Sequence, residues 1–181
     1  MKRFYLDSNI VLDFLLDRQP FAELAAELLA TAKAGRAELL VSSLLYVTSH
    51  YVVSKAKGKI AATQGLTTLF EYVTTVAVDA TIVQQALHSG RPDFEDAVQF
   101  YAALAAGADA IVTRDPKGFP TQQVPVLNPL AAPNAALITG SARSAFTCGP
   151  GAFHCEIFVF SILFSMTVAK LIIFLLTFYA Y

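Results

Sequence analysis

The feature that most constrains the fold is residues 92–119, where an acidic helix start is followed by a short apolar strand. Three acids stand within four residues at its beginning: Asp93, Glu95 and Asp96. Proline and acids are both favoured in the first turn of a helix, so Pro92 and these acids predict a helix N-terminus. The helix continues through the alanine-rich residues 97–106 and ends at Gly107, and residues 110–113 then predict a strand.

Two more acids come directly after predicted strands. Asp7 follows the apolar residues 4–6, and Asp115 follows the strand at residues 110–113. In an α/β sheet the carboxyl ends of the strands face the crevice in which ligands bind, so Asp7, Asp96 and Asp115 are expected to meet there. Carboxylates gathered in one place repel each other unless a cation lies between them. The sequence therefore predicts a cation site.

Strand-like and helix-like segments alternate along the first 130 residues. The predicted strands are residues 4–6, 39–41, 73–78, 110–113 and 124–127. The predicted helices between them are residues 8–16, 21–34, 43–55, 60–72 and 80–88, followed by the helix that begins near Asp96. This alternation predicts an α/β fold, a three-layer α/β/α sandwich with a central, mostly parallel sheet.

Helix periodicity also predicts which residues face the core. In the third helix it assigns Leu44, Val47, Tyr51 and Val52 to the inner face, with Ser42 or Ser43 as the N-cap. In the acidic helix, Asp93 and Asp96 are three residues apart and share a face, whereas Glu95 is expected to point elsewhere. Asp96 is therefore the predicted inward ligand, because it precedes the apolar face that packs on the sheet.

The C-terminal part of the chain differs in composition. Beyond residue 130 the only charged residues are Arg143, Glu156 and Lys170. We expect a domain at residues 1–130, a linker at 131–156 and an apolar tail at 157–181. The tail exceeds the roughly 20 apolar residues that span a bilayer, so a membrane anchor, a packing element and an extension unrelated to the domain all stay open. The unrelated extension is favoured.

Composition limits the classes of function. The net charge is −1, so no overall basic charge indicates nucleic-acid binding. The two cysteines, Cys148 and Cys155, lie in the C-terminal part, which makes a reducing cytoplasm the expected location. Hard carboxylate oxygens suit Mg²⁺ or Mn²⁺, and no cluster of histidines and cysteines indicates zinc.

Each acid also has a plainer interpretation. Asp7 could be a helix N-cap, the acids at 93–96 could only complement the helix dipole, and Asp115 could be a turn residue before Pro116. The joint pattern favours a metal site over these separate explanations. Its supporting residues would be Ser8 and Asn9, which could orient Asp7.

Three further residues beside Asp115 are candidates for substrate contacts. Thr113 could hydrogen-bond a ligand water or a phosphate. Arg114 and Lys117 could hold the phosphate backbone of a nucleic acid, although charges in a loop are often simply solvated.

Three motifs together resemble the PIN domain family, most closely the VapC-like ribonucleases of toxin–antitoxin pairs. They are Asp7-Ser-Asn9 after the first strand, Asp93-Phe-Glu-Asp96-Ala97, and Thr113-Arg-Asp115 before Phe119. The resemblance covers about residues 2–130. It implies a flavodoxin-like α/β/α nuclease that cleaves RNA with Mg²⁺ or Mn²⁺, with Asp7, Asp96 and Asp115 as ligands and Asp93 as an additional one.

One position departs from the family pattern. Thr48 stands in the third helix where many members have Glu and some have Asn. This difference weakens the expected set of acidic ligands.

The resemblance as a whole implies an endoribonuclease toxin with RNA as substrate, a protein antitoxin as partner and a homodimeric assembly. The alternative is a catalytically silent PIN fold that binds RNA or another protein. A site with three acids can still hold a metal, and Thr48 or His50 could contribute to it through water.

Overall fold

The computed structural model describes residues 1–120 and 122–132. The α-helices within them are α1 (Ser8–Leu16), α2 (Phe21–Lys33), α3 (Ser43–Lys57), α4 (Lys59–Phe70), α5 (Ala80–His88) and α6 (Phe94–Ala105). The strands are β1 (Lys2–Leu6), β2 (Ala37–Ser42), β3 (Thr74–Val76), β4 (Ala110–Val112) and β5 (Val126–Leu127). A single 3₁₀ turn, Pro116–Gly118, lies between β4 and β5 among these residues.

The strands form one parallel sheet in the order β3-β2-β1-β4-β5. The predicted α/β class and its parallel central sheet are thereby confirmed. Strands β2 and β3 follow β1 on one side of it, and β4 and β5 lie on its other side. The order differs from the 2-1-3-4-5 order of flavodoxin, and it places the topological switch point between β1 and β4. Ligands of open α/β sheets bind at such a point, beyond the carboxyl ends of the strands.

Alternating side chains of the central strands divide the core between the two faces of the sheet. One face carries Phe4, Leu6, Leu39, Val41, Ala110 and Val112, which pack with residues of α1, α2, α3 and α4. The other face carries Tyr5, Leu40 and Ile111, which pack with residues of α5 and α6. Helices thus cover both faces of the sheet, as predicted for a three-layer sandwich.

The predicted inner face of α3 is wrong. Leu44, Val47 and Tyr51 are exposed, the last two at 71% and 60% of their full areas. The buried positions are Leu45, Ser49 and Val53, which follow one another at four-residue steps along α3. Apolar residues occur on both sides of this helix, so periodicity alone chose the wrong one. Its start was predicted correctly, because Ser42 is the N-cap and its Oγ accepts a hydrogen bond from the backbone N–H of Leu45.

The described core extends slightly beyond the predicted domain end. Ala132 is fully buried and belongs to the core that β1 and α1 share. The boundary at residue 130 stays a prediction. The predicted linker beyond residue 132 and the apolar tail at 157–181 lie outside the described residues. Within the part of the chain that is described, no helix is long and apolar enough to cross a membrane.

Candidate active site

Asp7 lies at the switch point, immediately after β1. It occupies the N-cap position of α1, but its side chain makes no capping hydrogen bond. Instead, its Oδ2 accepts hydrogen bonds from Asn9 Nδ2 and Thr113 Oγ1, each at 2.6 Å. Asp7 is therefore the N-cap of α1 by position, as one interpretation held, but its side chain makes no capping hydrogen bond and instead accepts from Asn9 and Thr113. Asn9 orients this carboxylate, as expected, and Asp7 is 7% exposed.

Thr113 connects the ends of β1 and β4. Its buried hydroxyl donates to Asp7 and accepts from the backbone N–H of Asp115 at 3.0 Å and from Asn9 Nδ2 at 3.1 Å. The backbone N–H of Arg114 lies 3.4 Å from Asn9 Oδ1. A single hydroxyl thus sets the position of Asp7 relative to the start of the loop that carries Asp115.

Helix α6 begins at the same place and contributes two more acids. Asp93 is its N-cap, and its Oδ1 accepts a hydrogen bond from the backbone N–H of Asp96 at 3.1 Å. Asp96 lies in the first turn and packs closely on Gly118 of the loop after β4. A Cβ atom built on Gly118 would lie 2.1 Å from Asp96 Oδ2. Only a glycine allows the carboxylate its present position.

Glu95 belongs to the site, contrary to the expectation that it points elsewhere. Its Oε1 accepts a hydrogen bond from Ser8 Oγ at 2.9 Å. Ser8 Oγ in turn accepts from Gln99 Nε2 at 3.1 Å, and Gln99 Oε1 accepts from the Tyr5 hydroxyl at 2.5 Å. The Ser8 side chain therefore contacts Glu95 rather than Asp7, whereas the Ser8 backbone hydrogen-bonds the Asp7 carboxylate and opposes the rise of its pKa. The sequence contained one signal for this contact: Gln99, a polar residue one turn after Glu95, lies on the apolar side of α6 and indicates a polar partner there.

The loop after β4 carries the remaining predicted residues. Asp115 Oδ1 accepts a hydrogen bond from the backbone N–H of Lys117 at 3.2 Å. Asp115 therefore stabilises the turn before Pro116, as its plainer interpretation predicted, and this contact does not exclude a role as a ligand. The Lys117 side chain is exposed at a cleft of about 260 Å³ that Asp93, Asp96 and Gly118 also line. Arg114 points away, toward α1, with its guanidinium over the ring of Phe21 at 4.3 Å. The substrate roles predicted for these residues stay predictions.

Most of the charged side chains at the switch point are acids, and their mutual repulsion and burial change the pKa values of Asp96 and Asp7. Burial, together with the negative charges of Asp93, Asp7, Glu95 and Asp115, raises the pKa of Asp96 to about 6, and burial is the largest of these causes. Burial also raises the pKa of Asp7, although the hydrogen bond from Thr113 opposes the shift. The site therefore holds its carboxylates in the ionised form only at a cost, as a cation site does before the cation binds.

This arrangement predicts an unusual pH dependence of stability. Because the folded-state pKa of Asp96 lies above its unfolded value of about 4, folding binds protons between these pH values. This contribution destabilises the metal-free protein fully above about pH 6 and disappears as the pH falls toward 4. Asp96→Asn is expected to raise the melting temperature at pH 7.5, and its advantage should vanish near pH 4.

Calorimetric melting curves from pH 4 to 8 without divalent ions test this expectation. The matched control is Asp109→Asn, because Asp109 Oδ2 accepts a hydrogen bond from the backbone N–H of Arg3 at the opposite end of the sheet. That variant should give no stabilisation at pH 7.5. An Asp96→Asn protein no more stable than the wild type at pH 7.5 would contradict the assigned repulsion.

The donor set fits a hard divalent cation by its chemistry, since carboxylate oxygens predominate at the switch point. Within residues 1–120 and 122–132, no three His, Cys, Asp or Glu side chains are gathered closely enough to surround one ion. Mg²⁺ commonly binds through one or two carboxylates and keeps several of its waters, so it does not require such a cage. The acids around Asp96, whose negative charges contribute to its raised pKa, are the chemical basis for expecting a cation here. Residues that could hold it are Asp7, Asp96 and Asp115, with Asp93 beside them.

The sequence matches a family model described as PIN domain over residues 3–117, which is more than half of the chain. The chain therefore belongs to the PIN domain family, a family of nucleases. The matched range includes all of β1 except its first residue, the whole of α6 and β4, and all of the predicted acidic ligands. A search among curated proteins found no match.

Solved structures with the same fold are VapC proteins and their complexes. VapBC2 from Rickettsia felis, bound to a DNA fragment from its promoter, is 18% identical with a TM-score of 0.54 and covers 70% of this chain and 98% of its own. DNA-bound VapBC from Salmonella typhimurium is 13% identical with a TM-score of 0.56, covering 71% and 99%. Mycobacterium tuberculosis VapC20, described as a toxin that cleaves the sarcin–ricin loop, is 15% identical with a TM-score of 0.52, covering 64% and 92%. The predicted PIN domain with a VapC-like fold is confirmed.

Proposed function

We propose that this protein is a Mg²⁺- or Mn²⁺-dependent endoribonuclease that hydrolyses RNA phosphodiester bonds. The proposal rests on Asp7, Asp96 and Asp115, which belong to three separate elements and are close enough at the switch point for Asp7 and Asp115 to raise the pKa of Asp96. Their accumulated negative charge contributes to raising the pKa of Asp96 to about 6. Membership of the PIN family supports the same reading of the site.

The proposed roles follow from the contacts of each residue. Asp7, held by Asn9 and Thr113, would be one ligand of the ion, and Asp96 on α6 and Asp115 on the loop after β4 would be the others. When bound, the ion supplies an activated water and neutralises charge on the scissile phosphate. Thr113 fixes the spacing between Asp7 and Asp115, so the protein holds the ion site in place before substrate arrives.

The substrate side of the proposed site is the cleft beside Asp96. Its lining includes two cationic residues, Arg91 and Lys117, next to the acids Asp93 and Asp96. Arg91 is already engaged, because its Nη1 donates to the carbonyl oxygen of Gly118 at 3.1 Å. Lys117 forms no ion pair within the described residues, so its ammonium group is the proposed contact for a phosphate of the RNA backbone.

We also propose that the enzyme is the toxin of a toxin–antitoxin pair, acting in the cytoplasm. The support is its fold, which it shares with the VapBC complexes of Rickettsia felis and Salmonella typhimurium. The proposed partners are a protein antitoxin and a second copy of this chain. The proposed substrate is RNA.

A second candidate function is a catalytically silent PIN fold that binds RNA or a protein. The observation that favours it is Thr48, which stands on α3 where an acid is common in the family and which is exposed to solvent. Glu95 offsets this loss, because Ser8 holds a further carboxylate at the site. The nuclease is therefore the better supported of the two proposed functions.

The test is cleavage of a mixed RNA pool by the full chain with Mg²⁺ or Mn²⁺ and with EDTA. Cutting is expected only with metal, and Asp96→Asn should remove it while Asp109→Asn leaves it intact. Cutting that persists in Asp96→Asn would point to a contaminating nuclease and overturn the site. No cutting by the wild type, together with an unchanged melting temperature on adding Mn²⁺, would favour the silent protein.

A further inference from the structure

Asp13 is a buried carboxylate with few partners. It lies on α1 and is 0% exposed, and neither of its oxygens receives a hydrogen bond within the described residues. Its close contact is with Arg114, whose Nε lies 2.7 Å from Asp13 Oδ2. The Nε–H is not aligned with the carboxylate, so the contact is an ion pair rather than a well-formed hydrogen bond. Arg18 is more distant, with its Nη1 at 3.9 Å from Asp13 Oδ1.

Stability does not account for this ion pair. Removing a carboxylate from water is costly, and a buried ion pair repays that cost only when additional hydrogen bonds satisfy its remaining atoms. Asp13 lacks those hydrogen bonds. An apolar pair of similar volume would often be as stable or more so, and the presence of charge at this place therefore calls for another explanation.

The location of Arg114 supplies that explanation. It stands between Thr113, which bonds Asp7, and Asp115, a proposed ligand. Its guanidinium is held between Asp13 and the ring of Phe21, at the start of α2. Its backbone N–H is directed to Asn9, one turn before Asp13 on the same face of α1. Helix α1 therefore holds this residue twice, through the backbone and through the side chain.

We infer that Asp13 is a positioning residue of the proposed nuclease site, which it serves by anchoring Arg114 and thereby the loop at residues 113–118. Through that loop it controls Asp115 directly and Asp96 through the close contact with Gly118. The inference rests on the proposed function, and it gives Arg114 the role of an anchor in place of the phosphate contact predicted from the sequence.

The competing explanation is a purely structural link between α1 and the end of β4. The matched control for it is the ion pair of Arg3 and Glu38, with Nε and Oε2 at 2.9 Å, which joins β1 and β2 near their amino ends. Glu38→Gln removes an ion pair far from the switch point. Asp13→Asn keeps the shape of the side chain while removing its charge, and Arg114→Gln removes the other partner.

Two measurements on the full chain separate the explanations: calorimetric titration with Mn²⁺, and hydrogen exchange at residues 113–118 without metal. Asp13→Asn and Arg114→Gln are each expected to weaken Mn²⁺ binding by about tenfold and to speed exchange in the loop. The double variant should be no worse than either single one, because both remove the same anchor. Glu38→Gln should bind Mn²⁺ and exchange in the loop as the wild type does, whatever its melting temperature.

Wild-type Mn²⁺ affinity and exchange rates in Asp13→Asn would overturn the inference, as would an equal effect of Glu38→Gln. A wild-type protein that binds no Mn²⁺ would instead overturn the proposed metal site. Hydrogen exchange at residues 113–118 would then test separately whether Asp13 anchors this loop. Faster exchange in Asp13→Asn would support the anchoring role, and unchanged exchange would overturn it.

Discussion

Asp7→Asn is expected to reduce metal-dependent RNA cleavage by at least about 100-fold while leaving the melting temperature at or above that of the wild type. The amide keeps the size of the side chain and an oxygen that can accept from Thr113 and Asn9. It lacks the charge that a divalent ion requires. Because burial raises the pKa of Asp7, the neutral side chain also relieves an unfavourable charge in the metal-free protein.

Initial rates on a defined RNA at saturating Mg²⁺ and calorimetric melting without metal measure the two parts of this prediction. Asp79→Asn is the matched control, since Asp79 caps α5 by accepting from the backbone N–H of Ile82 at 2.9 Å and Asn caps about equally well. That variant should retain wild-type activity. A marked loss of stability in Asp7→Asn would show that the ionised carboxylate stabilises the metal-free protein, which would contradict the second part of the prediction.

Gly118→Ala is expected to lower the cleavage rate by about 100-fold, because a displacement of catalytic groups by about 1 Å can have that effect. The new Cβ would lie 2.1 Å from Asp96 Oδ2 and 2.8 Å from Asp96 Cγ, so the carboxylate must rotate away. Gly118 is not among the glycines with positive φ, so its backbone accepts alanine. The melting temperature should change little, since the contact lies on the surface of the cleft.

Gly65→Ala on α4 is the matched control. Its Cβ would meet only the end of the flexible Leu15 side chain at 2.9 Å, far from the acids, and alanine favours a helix interior by about 0.5–1 kcal/mol. Its cleavage rate should equal that of the wild type. If Gly118→Ala also cleaves at the wild-type rate, Asp96 does not act from the position in which it lies against Gly118.

The sequence predicted most elements because local signals were strong and agreed with one another. The bounds of α1 and α5 were predicted to the residue, and the N-cap of α5 is Asp79. Strand β4 was short, yet Gly107 before it and Asp115 after it limited its extent. The acids at the switch point followed from chain order, since the residues after parallel strands meet at one end of the sheet.

The errors came from residues whose surroundings depend on distant parts of the chain. Helix α3 has apolar residues on both sides, and the face that packs on the sheet was decided by contacts with α1 and β2 rather than by periodicity. Glu95 was assigned outward from helix geometry, but Ser8, 87 residues earlier, holds it at the site. Nothing near Asp13 in the sequence indicated its partner, because Arg114 lies in the loop after β4, about 100 residues later.

The sequence by itself determined which segments are helix and strand, and that acids stand at the carboxyl end of a parallel sheet. Both depend on periodicity, caps and chain order, which are local properties. Only the tertiary structure decided that Thr113 occupies one oxygen of Asp7, how closely Asp96 packs on Gly118, and that Arg114 is paired with Asp13. These depend on distances between residues about 20 to 100 positions apart, which are set when the layers pack and not before.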